Sequence, residues 1–326
     1  MPPITVVGSI NRDLVLTVED LPRPGETVLA RGFVEGVGGK GANQAVAAAR
    51  LGSRVRMVAR VGPDADAILR ALAAEGVDVG AVRPAPQSTT GIASVVVDRA
   101  GENTIVVNPG ANAELSVADL PQRLARSAGE VVLVQHEISA EVVAAAVLRA
   151  REQGGTVVLN PAPARPVAPE VLAAVDVLVP NLGELAALLG ARPPAGPDGA
   201  RELLERAALP CRAVVVTLGA DGALVKQPGR PAVHLPAPVV DAVDTVGAGD
   251  TFCGALADSL ARGADLLAAA ERAVRAASLA VTGLGAQSAM PSAAQLDAAA
   301  GPLGAPAPLP DATGAVLDAP AVPVAP

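Results

Sequence analysis

The sequence predicts an α/β fold: a three-layer α/β/α sandwich with a mostly parallel central sheet and a small β-sheet lid. Three observations carry that expectation. Short apolar, β-branched runs alternate with Ala/Leu/Arg/Glu stretches of helical period, which is the rhythm of βαβ units. The runs are apolar throughout, so their strands are buried on both faces, as in a parallel sheet covered by helices on each side. Two further stretches, 14–34 and 90–107, alternate apolar with polar residues and fall outside that series.

From the amino end, Ile4–Val7 is the first strand and 42–51 the first helix, followed by a strand at Val55–Val61 and a helix at 65–75. The two irregular stretches contain Leu14-Val15-Leu16-Thr17-Val18 and Ile92-Ala93-Ser94-Val95-Val96-Val97. They read either as two surface hairpins or as one small sheet leaving the core at its ligand-binding edge, where a lid would exclude water from reactive chemistry. The series resumes with strands at 131–134, 156–159, 177–179 and 213–217, and with helices at 141–153 and 171–174. Residues 1–300 thus form one domain with lid segments at about 12–35 and 88–107. After Pro302 the chain turns to Ala, Pro and Gly with only Asp311 and Asp318 charged, so 301–326 reads as a Pro/Ala-rich disordered tail.

Of the 326 residues, 51% are apolar and 18% charged, enough to bury a sizeable core. Lys and Arg number 25 against 33 Asp and Glu, and the net charge of −8 repels nucleic acid and anionic membranes. With no Trp, no Tyr and two Phe, the chain also lacks a platform for stacking bases. Small-molecule substrates are expected, with no nucleic acid and no membrane partner. Cys211 and Cys253 show no CxxC spacing and fit a reducing compartment. Met1-Pro2-Pro3-Ile4 lacks the basic segment and apolar core of a signal peptide, and Thr282, Gly283, Gly285, Gln287, Ser288 and Pro291 interrupt the longest uncharged stretch. The expectation is a cytoplasmic protein. His136 and His234 are too few and too far apart for a zinc set, and read as surface or loop histidines.

Two glycine-rich segments carry the chemistry. Gly36-Val37-Gly38-Gly39-Lys40-Gly41-Ala42-Asn43-Gln44 gathers glycines around one Lys and one Asn just before a helix, so its amides and side-chain donors are expected to converge on a polar ligand. It contains GxGxxG but no buried strand precedes it, and it departs from the phosphate-binding P-loop at Val34 and Gly41. The bland alternative is a tight turn opening a helix. The second segment, 241–252, leads through Thr245-Val246-Gly247-Ala248-Gly249-Asp250 into an apolar helix, leaving first-turn amides as an anion hole beside a carboxylate. A base that takes a hydroxyl proton next to such a hole suits phosphoryl transfer to an alcohol, although Asp250 is equally suited to capping the helix. Asn11 and Asp13, in Gly8-Ser9-Ile10-Asn11-Arg12-Asp13 after the first strand, form an amide and carboxylate pair able to read sugar hydroxyls, or else an Asx turn.

Taken in order, these segments resemble the phosphofructokinase-B type carbohydrate kinases from about Ile4 to Ala300. Asn160-Pro161-Ala162-Pro163-Ala164, Pro180-Asn181-Leu182-Gly183-Glu184, Thr217-Leu218-Gly219 and Asp221-Gly222 add to the match. The resemblance implies ATP-dependent phosphorylation of D-ribose at its 5-hydroxyl, with Asp250 as general base and Gly247, Ala248 and Gly249 as the anion hole. It assigns Asn11, Asp13, Gly39, Lys40, Asn43 and Glu137 to the sugar. Asn181 and Glu184 fall near the phosphates and Mg²⁺, and Thr217, Gly219 and Asp221, with Gly249, on the ATP side. It further implies a K⁺ held at Asp244, Val246, Ala280, Gly283, Gly285 and Ala289. Separately, the free edges of the lid strands suggest a homodimer formed through the lid, since an unpaired edge is commonly covered. Two departures stand out. Gln287-Ser288-Ala289 moves or removes the serine hydroxyl ligand that relatives supply to K⁺, and the scarcity of aromatics leaves adenine to aliphatic and Gly segments near 274–279. Other readings are a kinase of another pentose or of a nucleoside, a non-catalytic sugar-binding regulator, and, on GxGxxG alone, a nicotinamide-dependent oxidoreductase.

Overall fold

The computed structural model describes residues 3–125, 127 and 129–299, together with the backbone of 307–308. A ten-stranded sheet forms its middle layer, in the order β14-β13-β12-β11-β10-β9-β8-β1-β4-β5. Its parallel part comprises β1 (Ile4–Val7), β4 (Val55–Val61), β5 (Val77–Pro84), β8 (Val131–Gln135), β9 (Thr156–Asn160), β10 (Val177–Leu178) and β11 (Val214–Thr217). An antiparallel edge follows, made of β12 (Ala223–Lys226), β13 (Val233–Leu235) and β14 (Ala307–Pro308). That last strand lies inside the span expected to be an irregular tail, the rest of which falls outside the described residues.

Alternation along β1 divides the core. Ile4 and Val6 point to one face and pack with α1 (Lys40–Arg50), α2 (Asp66–Ala74), α7 (Ala248–Ala261), α8 (Leu266–Ala280) and α9 (Ala293–Ala298). Val7 points to the other face, with α3 (Ala140–Glu152), α4 (Pro169–Ala173), α5 (Leu182–Leu188) and α6 (Gly196–Arg206). The expected three layers follow. The chain runs from β1 outward to β4 and β5, then returns to lay β8 on the other side of β1. The crevice beyond the carboxyl ends of β1 and β8 is therefore the switch point at which open α/β sheets bind ligands.

The two irregular stretches form one sheet, not two separate hairpins. β2 (Asn11–Thr17) pairs antiparallel with β3 (Gly32–Gly38) and parallel with β6 (Gly91–Val97), and β6 pairs with β7 (Asn103–Asn108). β2 begins four residues after β1 ends, which roots this small sheet at the switch-point crevice. Among the described residues no helix is long and apolar enough to cross a membrane, and both cysteines are free and buried.

Candidate active site

The helices α1 and α7 meet at the crevice because α7 carries Gly254 at their crossing. A Cβ there would stand 2.6 Å from Ala47 Cβ and 2.7 Å from the Gln44 carbonyl oxygen, so only glycine permits this approach. The approach brings Asn43 and Gln44 of α1 onto Asp250 in the first turn of α7. Asn43 Nδ2 donates to Asp250 Oδ2 at 3.0 Å, and Gln44 Nε2 donates to Oδ1 at 2.9 Å. Each carboxylate oxygen keeps lone-pair capacity beyond these bonds, and Asp250 lines a cavity of about 120 Å³ with Lys40, Asn160, Asn181, Glu184, Gly247, Gly249 and Cys253.

α7 begins at Gly247, which takes φ +78° and has no side-chain cap. Its Ala248 amide turns back to the Thr245 carbonyl at 3.3 Å, so of the expected anion hole this amide is occupied. The first-turn amides of Gly249 and Asp250 have no helical carbonyl one turn behind them, and both residues line the cavity.

The glycine-rich segment before α1 behaves otherwise. Lys40 N–H donates to Glu137 Oε2 at 3.0 Å, Gly41 N–H to Ser9 Oγ at 3.3 Å and Ala42 N–H to the Ser9 carbonyl at 2.9 Å. The expected convergence of these amides on a ligand is corrected: the protein itself fills that helix end. Glu137 is accordingly half spent, since its Oε2 also accepts from Ser9 Oγ at 2.6 Å.

Around this frame the remaining polar groups collect. Asn11 is buried, its Oδ1 accepting from Asn112 Nδ2 at 2.7 Å. Asp13 Oδ1 is buried without a hydrogen-bond partner, an acceptor awaiting a hydroxyl donor. Burial, reinforced by Glu137 and Asp250, pushes the Asp13 carboxyl up to about 6. Burial would lower Lys40, but the negative charges of Asp250, Glu137 and Glu184 outweigh it and raise its pKa, so it remains an ammonium among carboxylates. Gly39 sits at φ +87° immediately before it.

Asn181 and Glu184 cap α5 reciprocally: Asn181 Oδ1 accepts from Glu184 N–H at 2.7 Å and Glu184 Oε2 from Asn181 N–H at 2.9 Å. Burial raises Glu184 against the opposing pull of the Asn181 amide and Lys40, leaving Oε1 as an oxygen donor suited to a hard cation. Asn181, Thr217, Gly219 and Asp221 line an adjoining cleft of about 290 Å³. A larger cleft of about 620 Å³ lies between the β12–β13 turn and the start of α8, lined by Arg230, Asp265 and mostly apolar groups. It holds none of the convergent carboxylates and amides, so the chemistry places the site at the smaller cavity.

Two of the segments to which the resemblance assigned a cation are in contact. Asp244 accepts Val246 N–H and Gly285 N–H, each at 2.9 Å, which folds 282–289 against the start of α7. Ser288 Oγ donates to the Leu284 carbonyl at 2.5 Å, so its hydroxyl is committed within the loop, while Ala280 O accepts Gly283 N–H at 3.3 Å. The carbonyls of Val246, Gly283, Gly285 and Ala289 belong to the donor class a monovalent cation uses.

Two expectations are corrected and one is narrowed. His136 lies in the loop after β8, one of the two settings expected, and there it is buried; burial with Arg165 lowers it to about 4, and its Nδ1 lies 3.2 Å from the Pro163 carbonyl. Val274 and Ala276 are buried in the core, which removes them as an adenine wall. The amides of Lys40, Gly41 and Ala42 are already satisfied, as described above. Ser9, Gln44, Gln135, Asn160 and Gln287, none of which was assigned to the site from the sequence, also bond within it. Among the described residues no group of acids, histidines and cysteines forms a metal cluster.

A carboxylate held by two amide donors beside open helix-terminal amides, in a sheet-edge crevice with a separate small sheet rooted at it, is an arrangement suited to a small-molecule phosphotransferase. A family model described as pfkB family carbohydrate kinase matches residues 1–293, and the chain belongs to that family. It is 40% identical over 292 residues to a ribokinase of Bacillus subtilis, covering 89% of this chain and 96% of the relative. It is 38% identical over 303 residues to a deoxyribokinase of Salmonella typhi, covering 90% and 97%. An Arabidopsis thaliana ribokinase complexed with ribose and ATP matches with a TM-score of 0.82 at 32% identity, covering 91% of this chain and 98% of that one.

Proposed function

We propose that this chain phosphorylates D-ribose at the 5-hydroxyl with ATP. The observation that carries the reading is the placement of Asp250. Its carboxylate is held by two amide donors in one small cavity with Lys40 and Gly249, at the free amino end of α7. Asp250 accepts the hydroxyl proton as the oxygen attacks. The Gly249 and Asp250 amides and the Lys40 ammonium meet charge developing on the transferring phosphoryl group, with the Gly247 turn setting their direction. Asn11, the unpartnered Oδ1 of Asp13, Gly39, Lys40, Asn43 and the free Oε1 of Glu137 hold the sugar hydroxyls. Asn181, Thr217, Gly219 and Asp221 hold the nucleotide. Mg²⁺, taken near Glu184, neutralises phosphate charge when bound, and K⁺ fits the carbonyls of Val246, Gly283, Gly285 and Ala289 beside Asp244.

A second substrate, 2-deoxyribose, is favoured by the deoxyribokinase relative at 38% identity. ADP release from ATP and Mg²⁺ against ribose, 2-deoxyribose, fructose, adenosine and pseudouridine, each with and without K⁺, separates the readings. Turnover on ribose well above the rest is expected. Preference for 2-deoxyribose or a nucleoside overturns the substrate, silence on all five overturns the enzyme, and a flat K⁺ response overturns the cation.

The reading also includes a homodimer through the small sheet, whose exposed Phe33, Val34, Ile105, Val106 and Val107 and outer strands β3 and β7 invite a second copy. A monomer by light scattering would remove it. A cytoplasmic location agrees with the two free, buried cysteines.

A further inference from the structure

An ionised carboxylate only accepts hydrogen bonds, so each amide facing Asp250 must present its NH₂ group to it. Asn43 and Gln44 do so, and their carbonyl ends consequently point away from Asp250 and require donors of their own. Gln135 Nε2, on β8, donates to Gln44 Oε1 at 2.7 Å. Gln287 Nε2 donates to Asn43 Oδ1 at 2.9 Å. Gln135 is fully buried in the sheet, whereas Gln287 lies in the loop that follows α8, outside the sheet. Arg50 of α1 holds that loop by donating from Nη1 to the carbonyls of Gln287 at 2.5 Å and Met290 at 2.9 Å. The preceding residue, Ala286, backs the start of α7, its Cα standing 2.9 Å from where a Cβ on Gly247 would be. Two adjacent loop residues thus touch the two halves of the machinery, one the turn that opens the anion hole and the other the amide that supports the base.

We propose that Gln287 is a positioning residue: by donating to Asn43 it fixes which end of the Asn43 amide faces Asp250, and so couples the 282–290 loop to proton abstraction. The inference rests on reading Asp250 as the general base. With the donor gone, the Asn43 amide is free to rotate and turn its oxygen to the carboxylate, which then loses a hydrogen bond and faces a repulsive dipole.

The test uses Gln287→Met, which keeps length but cannot donate, and Gln287→Glu, which can donate only while protonated. The kcat and the KM for ribose and ATP are measured from pH 5.5 to 8 beside the wild type and Asp250→Asn, with the melting temperature of each. Gln287→Met is expected to lower kcat by roughly tenfold at every pH, the size of one partly buried hydrogen bond, with KM for ATP within about twofold. Gln287→Glu is expected to approach the wild-type kcat at the acid end and to fall away from it as the pH rises and the new carboxyl ionises. Wild-type kcat in both variants overturns the proposal. So does an equal, pH-independent loss in both that tracks their melting temperatures, because that marks Gln287 as merely structural. Full activity in Asp250→Asn overturns the base assignment instead, whatever the Gln287 variants do.

Discussion

The amino ends of α1 and α7 look alike in sequence, each a run of glycines and small residues ahead of an apolar helix, and neither carries a side-chain cap of its own. They end differently. At α1 three successive amides are taken by Ser9 and Glu137, delivered from the ends of β1 and β8. At α7 no described residue accepts a hydrogen bond from the amides of Gly249 and Asp250. The difference teaches that a glycine-rich helix start is only a potential anion site, and that the ends of neighbouring strands decide whether the protein or a ligand completes it. Elsewhere Ser139, Asn181, Asp265 and Ser292 each cap their own helix, whereas α2, α4 and α6 begin without a side-chain cap. Capping from within closes four helices, capping from afar closes α1, and the open end of α7 lies at the cavity.

Four experiments break or sharpen that contrast. Asp250→Asn, which removes the base and keeps the helix, should lower kcat by about 10²–10⁴ while ribose binding by calorimetry persists; near-normal turnover would place the chemistry elsewhere. Gly249→Pro deletes one free amide at a position where a Cβ meets nothing within 4 Å. It should cost about 10²–10³ in kcat with little change in melting temperature, and a loss of stability without loss of rate would reverse the roles assigned to the two helix ends. The matching change at α1 is Ser9→Ala, which strands the Gly41 amide and frees Glu137. It should destabilise the fold by about 1–3 kcal/mol in denaturant titration while kcat changes far less than in Gly249→Pro.

The smallest effect concerns Asp13. Its carboxyl is raised to about 6 in the fold from an ordinary 3.8, so between those values the native chain holds a proton that the unfolded chain has released. Its contribution therefore favours the fold at low pH, and is lost as the pH rises through that window toward 6. Asp13→Asn should flatten this part of the stability-versus-pH curve. In the wild type, KM for ribose should rise as the pH falls below about 6 and Asp13 loses its charge. A KM independent of pH there would remove Asp13 from the sugar site.

The contrast also marks the limit of what could be read from the chain. Asp250, Lys40, Asn11 and Asp13 were legible because each stands in a short local pattern at a strand end or helix start. Ser9 stands in the same pattern as Asn11, but its partner Glu137 is 128 residues away, and no local spacing discloses that bond. Gln44 stands in the glycine-rich segment, but its partners Gln135 and Asp250 are 91 and 206 residues away, equally beyond local spacing. β5 escaped notice because its edge position leaves only Val77 buried and its pairing with β4 shifts register after Arg56. The two irregular stretches were visible as strands, yet their union into one sheet depends on β2 pairing with β6 across the chain, which alternation alone does not specify.

The lid sheet and the scarcity of aromatics together make this chain an unusually quiet optical background. With no tryptophan and no tyrosine in 326 residues, the folded protein has almost no absorption or emission of its own near 280 nm. Phe33, on β3, is 58% exposed. A tryptophan in its place would be the sole strong fluorophore in the molecule, so its emission maximum would report directly, without subtraction, whether sugar, nucleotide or a second copy of the chain takes that strand out of water.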